Sequence, residues 1–171
     1  AIPSTNEVLL DSSKGPEYTL DGIAKGSSMA SENTLDIEAL KQAYLGQESP
    51  VATMEVEKGH VRSFALAIGD PNPLWTDEIQ ARKSRYGGLI APPTFLRTLR
   101  TQRLEQLPIE HNLDRLLDGG STWEYFEPVR IGDRITAVNR VIDIYARAGS
   151  LGQMLFVVTE TTYTNQLSQV V

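Results

Sequence analysis

The chain has 171 residues, 40% of them hydrophobic and 22% charged, which suits one soluble-type globular domain around a single core. A net charge of −6 and the lack of a long basic run argue against nucleic acid as the main partner. There is no cysteine, and the histidines are His60 and His111 only. This excludes disulfides, thiolate nucleophiles and cysteine-bound metals, and no metal site is expected. No apolar run approaches the roughly 20 residues of a membrane span. No signal-peptide pattern opens the chain, so a cytoplasmic location and no membrane partner are expected.

Residues 1–28 hold five serines, three glycines and two prolines but no Phe or Trp, a loop-like composition. "GSSMAS" then places Met29 where a native start would lie. Residues 1–28 are therefore expected to be a flexible N-terminal arm or an expression-derived segment, although "EVLLD" and "EYTLDGI" could form edge strands. Residues 29–171 are expected to form one domain. Leu35–Leu45 has helical spacing, with Asn33 or Thr34 as cap and Gly46 as stop. In Glu55–Ile68, the residues Val61, Phe64, Ala65 and Ile68 fall at i, i+3, i+4 and i+7, one apolar stripe. Gly69 can end that helix.

"DPNPLW" carries two prolines and cannot continue a helix. Thr76–Lys83 predicts a short helix capped by Thr76. "YGGLIAPPTF" is a turn, an apolar step and a helix start; Pro93 suits the first helical position. The spacing predicts a helix from about Pro93 to Leu104, with Phe95, Leu96 and Leu99 inward. Arg97, Arg100 and Arg103 lie on a solvated face. After Gly119–Gly120 the pattern changes to β-branched and aromatic residues. "PVRIGD" and "GSLGQ" are turns between at least three antiparallel strands. "NQLSQVV" still reads as strand. Helices followed by a β meander give an α+β class.

Three motifs recur in order and spacing: Asp70-x-Asn72-Pro73-x-x-x-Asp77, "YGGLIAPPTFL" and "EYFEPVRIGDRITA". Together they resemble the MaoC-like hot-dog dehydratase/hydratase family, in its N-terminal, fatty-acid-synthase-like dehydratase type. The match runs from about Glu55 to Asn165. The resemblance implies a curved antiparallel sheet wrapped around a long central helix, pairing of hot dogs into dimers, and hydration or dehydration of acyl thioesters on coenzyme A or acyl carrier protein. No cofactor is implied beyond that carrier.

Adding water to an enoyl thioester needs a base for the water, an acid for the α-carbon and donors for the thioester oxygen. In the family an aspartate and a histidine five residues later supply the first two. A backbone N–H at the start of the central helix supplies the third. Carried over, Asp70 matches the aspartate and Asn72 the turn-shaping asparagine. The histidine position holds Trp75, whose indole is donor-only. The oxyanion position falls at or next to Pro93, which has no N–H; Thr94 could still offer an N–H and a hydroxyl. Tyr86, Gly87 and Gly88 set the bend before the central helix, and the glycines allow close approach of a thioester chain.

Each residue has a plainer reading as well. Asp70 can stabilise the turn, Asn72 can form an Asx turn, and Trp75 can fill core or a dimer seam. His60 and His111 read as surface residues. The expected function is a hydratase/dehydratase subunit lacking its own acid/base pair and working with a catalytic hot-dog partner, as a homodimer or heterodimer. Two alternatives stand beside it: a lone-carboxylate thioesterase using Asp70, and a non-catalytic acyl-thioester binding module.

Overall fold

The computed structural model describes residues 4–11, 36–101, 115–149 and 152–171. Its frame is the antiparallel pair β4 (Arg134–Gly149) and β5 (Gly152–Thr164). Strand side chains alternate between faces. Here Ile135, Ala137, Asn139 and Val141 of β4, with Leu155, Val157, Thr159, Thr161 and Tyr163 of β5, are all buried. A bulge between Val141 and Asp143 adds one residue, so that Ile144 rather than Asp143 continues the buried row.

Among the described residues, five strands form the sheet in the order β2-β4-β5-β1-β3. The short β2 (Ala52–Glu55) pairs with β4, Met54 opposite Ile135. β1 is Ser4–Asp11 and β3 is Arg115–Thr122. β1 lies between β5 and β3, with Ser4 opposite Thr161 and Thr5 opposite Thr122. Residues 4–11, set aside in the sequence reading with the rest of 1–28, are thus an interior strand. "EYTLDGI" lies outside the described residues.

Two apolar clusters cover the buried face. The larger joins Val61 and Ala65 of α2 (Lys58–Ala67), Trp75, Ile90, Phe95, Leu96 and Leu99 to Ile135, Ala137 and Tyr163 of the sheet. The smaller gathers Val141, Ile144, Leu155 and Val157 under Ile37, Leu40 and Tyr44 of α1 (Ile37–Tyr44). A buried polar belt lies on the same strands. There, Asn139 Nδ2 donates to Thr161 Oγ1 at 2.8 Å and Ser49 Oγ accepts from Asn139 N at 3.1 Å.

Several boundaries differ from those read in sequence. α1 starts after Asp36, whose carboxylate accepts from Ala39 N, an N-cap of the preferred type; Asn33 and Thr34 lie outside the described residues. α2 starts at Lys58 because residues 52–55 are held in the sheet as β2. Its stop is as expected: Gly69 has φ +68. Pro73–Thr76 forms its own turn, α3, and Asp77 caps α4 (Glu78–Lys83), accepting from Ile79 N and Gln80 N. Thr76 Oγ1 instead donates back to Asn72 O at 2.9 Å.

The helix expected over 93–104 is a 3-10 helix over Pro93–Thr98. Phe95 N donates to Pro92 O and Leu99 N to Leu96 O, both three residues apart, the tighter register typical of short helical pieces. At Leu99 the backbone turns extended; residues 102–104 lie outside the described residues. Among the described residues the longest helix is α2, with ten residues, so a long central helix is absent from them.

"STWEYFEPV" contributes only Ser121 and Thr122 to β3. Beyond them, Trp123 stacks on Tyr125 and on Tyr163 at ring distances of 6.2 and 5.9 Å, and Pro128 removes a ladder donor. Residues 165–169 turn rather than extend. Asn165 Oδ1 accepts from Leu167 N and Gln169 N, the local bonding that favours asparagine in turns.

Candidate active site

Gly69 ends α2 with a backward turn of the chain, and Asp70 N donates to Ala65 O at 3.0 Å. The next polar groups then bond to one another. Asp70 Oδ1 accepts from Asn72 N at 3.1 Å, and Asn72 Oδ1 accepts from Leu74 N at 2.9 Å, capping α3. Pro73 occupies the first position of that helix, where a missing N–H costs nothing. Trp75 folds back so that its indole Nε1 donates to Asp70 O at 3.2 Å. Short-range hydrogen bonds lace the turn together. Asp70 is half-buried and its carboxylate serves the backbone two residues on.

Trp75 is 7% exposed. It packs in the main core and also walls an open cleft of about 340 Å³. The cleft forms where three segments are tied together: Ile90 N donates to Leu74 O at 3.1 Å, and Ala91 N donates to Val129 O at 2.8 Å. α3 thus supplies one wall, the step 90–93 another and the segment 125–129 a third. Leu96 of the 3-10 helix reaches it too. The buried lining is apolar (Trp75, Ile90, Ala91, Pro92, Leu96). The exposed lining includes Arg85, Pro93, Tyr125, Phe126 and Glu127. Desolvation raises the Tyr125 hydroxyl pKa above its ordinary value, so it is a neutral donor or acceptor at neutral pH.

Of the residues singled out in sequence, Trp75, Tyr86 and Pro93 line this cleft; Asp70, Asn72, Gly87, Gly88 and Thr94 do not. Gly87 has φ +70 and its N donates to Ser84 O at 3.1 Å. It makes the bend that carries Tyr86 to the cleft. Pro93 begins the 3-10 helix, so the first main-chain donor that turn can offer is the N–H of Thr94, an exposed residue. His60 is exposed, with its ring edge-on to Phe95 at 5.1 Å, and is not among the cleft residues. His111 lies outside the described residues. Tyr125, Phe126 and Arg85 also line the cleft without standing out in the sequence. The adjacent aromatics read as strand in sequence, whereas Pro128 just after them signals that the segment leaves the sheet. Among the described residues no cluster of His, Asp or Glu could hold a metal ion, and no helix is long and apolar enough to cross a membrane.

A family model for the FAS1-like dehydratase domain region matches residues 43–171. The chain belongs to this family. Among relatives of the FAS1-like dehydratase domain, a UPF0336 protein of Streptomyces avermitilis is 35% identical over 117 residues, covering 66% of this chain and 78% of the relative. A UPF0336 protein of Thermobifida fusca is 33% identical over 131 residues, covering 74% and 85%. Solved structures give the same fold. The MaoC-like dehydratase of Rhodospirillum rubrum superposes with a TM-score of 0.56 at 25% identity, covering 77% of this chain and 88% of that one. The HadBC (3R-hydroxyacyl-ACP dehydratase) complex of Mycobacterium tuberculosis gives 0.59 at 22% identity, covering 74% and 90%. The FAS1-like dehydratase domain is an α+β hot dog of the MaoC-like dehydratase/hydratase family.

Proposed function

We propose that this domain is one subunit of an acyl-thioester hydratase/dehydratase, in which it binds the acyl thioester while a partner hot-dog chain supplies the acid/base pair. The observation that carries the reading is the turn at Asp70. Its carboxylate oxygen accepts from Asn72 N, and the position expected to hold the proton-transferring histidine holds Trp75, bonded to Asp70 O. An indole N–H cannot accept a proton, so position 75 cannot supply the second proton-transfer group of an Asp/His pair. Pro93 removes one main-chain donor from the start of the following turn, and Thr94 is the nearest replacement.

What remains is a binding surface. The apolar cleft beside Trp75 has a volume within the usual range of small-molecule sites. Water addition then divides between two chains. This one orients the thioester; an Asp/His pair of the partner activates the water and protonates the α-carbon. The HadBC neighbour is by its name a complex of a 3R-hydroxyacyl-ACP dehydratase, an arrangement that supports this division. Nothing favours the lone-carboxylate thioesterase, because Asp70 is absent from the cleft lining.

The test is hydration of crotonyl-CoA, followed as loss of enoyl absorbance, with this chain alone, with a partner carrying Asp-x-Asn-Pro-x-His, and with both. Turnover that requires the mixture is expected. Equal turnover by this chain alone overturns the reading. Tight binding of the thioester with no turnover in any combination leaves a binding module instead.

A further inference from the structure

We propose that Arg85, with Arg130 behind it, recognises a phosphate group on the ligand of the cleft, so that selection falls on the carrier arm as well as on the acyl group. The proposal rests on the cleft being the thioester site. Its starting point is the distribution of polarity. The buried lining is apolar, and the indole N–H of Trp75 is already taken by Asp70 O. Charge enters only with Arg85 and Glu127, both exposed. A ligand that fits must therefore be apolar or neutral inside and can be charged only towards the exposed lining.

The guanidinium of Arg85 is held in place. Its Cζ lies 4.8 Å from the Tyr86 ring centre, and Nη2 donates to Tyr86 Oη at 2.6 Å. The ring holds the cation from one side, and one hydrogen bond leaves most of the five N–H donors free. Arg130 Nη1 donates to Tyr86 O, bringing a second positive charge to the same residue. Most cations with a described partner sit against a carboxylate: Lys41 with Asp143, Lys58 and Arg82 with Glu78, Arg97 with Asp118, Arg140 with Glu160. Arg85 and Arg130 have no ion pair among the described residues, and Glu127 pairs with neither. In a chain of net charge −6, two unneutralised guanidiniums on one tyrosine beside an apolar cleft form a local anion site. A planar fork that is already ordered suits the oxygens of a phosphate ester.

The experiment compares three saturated ligands that cannot react: butyryl-pantetheine, butyryl-4′-phosphopantetheine and butyryl-CoA. Affinities are measured by calorimetry on the wild-type chain and on Arg85→Ala. Arg85 is exposed, so the variant should fold, and circular dichroism checks it. The wild type is expected to bind the phosphorylated ligands at least about tenfold more tightly than butyryl-pantetheine. Arg85 lines the cleft, so the readout is the ratio of affinities between phosphorylated and unphosphorylated ligands, which should fall to about one in Arg85→Ala. If the advantage appears with phosphopantetheine, Arg85 reads the phosphate of the arm; if only with CoA, it reads a nucleotide phosphate. Equal affinity for all three ligands in the wild type, or an advantage that survives Arg85→Ala, overturns the proposal while the cleft reading stands. Failure of all three to bind removes the cleft reading itself.

Discussion

Replacing Trp75 with alanine tests whether the indole is structural or merely lines a wall. The side chain is 7% exposed and sits in the main core, and truncating a buried tryptophan costs about 3–5 kcal/mol. One face borders the open cleft, where water can fill part of the void, so the lower end, about 3 kcal/mol, is expected. The hydrogen bond from Nε1 to Asp70 O contributes about 1 kcal/mol of that. Trp75→Phe should separate the terms: it keeps an aromatic wall, loses the donor, and should cost about 1–2 kcal/mol. Urea unfolding followed by far-UV circular dichroism reads both variants. For a chain of this size, 3 kcal/mol corresponds to a fall in Tm of roughly 6–12 °C. A loss below about 0.5 kcal/mol for Trp75→Ala, the range of ordinary surface changes, would refute the structural assignment and reopen position 75 as a purely functional residue.

Four other outcomes are expected. Asn72→Ala removes the cap of α3 and should cost about 1 kcal/mol in urea unfolding. Asp133→Ala leaves Arg130 N and Gln166 Nε2 without the carboxylate that accepts from both, and should cost about 2–3 kcal/mol; a neutral effect would mean water replaces it. Tyr163 has its hydroxyl pKa pushed up to about 12, chiefly by desolvation. A raised folded pKa gives stability that is present below the unfolded value of about 10 and lost as pH rises towards 12; Tyr163→Phe should flatten alkaline unfolding in that window, and unchanged alkaline unfolding contradicts the assignment. Glu78 is held below the ordinary carboxylate range, first by its hydrogen bond from Lys58 and then by the charges of Lys58 and Arg82. Its contribution is present above the ordinary carboxylate range and disappears as pH falls through the lowered value; an NMR titration of Glu78 in Lys58→Ala should move back towards that range.

The sequence revealed what depends on local chemistry. Val61, Phe64 and Ala65 of the apolar stripe located α2, while Ile68, its fourth member, lies exposed just past the helix, and Gly69 with φ +68 ended it. The three separated motifs pointed to the hot dog. What it concealed depends on distant partners. Glu55 lies in a strand because β4 is beside it, which no helical pattern could announce. Phe95, Leu96 and Leu99 have helical spacing and are all buried, yet three-residue hydrogen-bond steps bury them equally well. At the site, Asp70 and Asn72 read equally as catalytic or as turn residues, since both roles need the same side chains. A carboxylate oxygen that accepts from Asn72 N and an amide oxygen that accepts from Leu74 N fit either role. Tyr125 and Phe126 become cleft residues through the pairing of Ala91 with Val129, a contact between segments that are far apart in sequence.

The position of β1 bears on any shortened form of the chain. Met29 invites a start that omits residues 4–11. In the folded sheet those residues bond to β5 on one side and β3 on the other. Without them, two rows of main-chain donors and acceptors lose their partners at once, and the slot between them has the width of one strand. Open edges of that kind recruit other strands. A preparation begun at Met29 should therefore be judged by its tendency to aggregate, and a peptide of residues 1–12 added in trans would be a direct remedy to try.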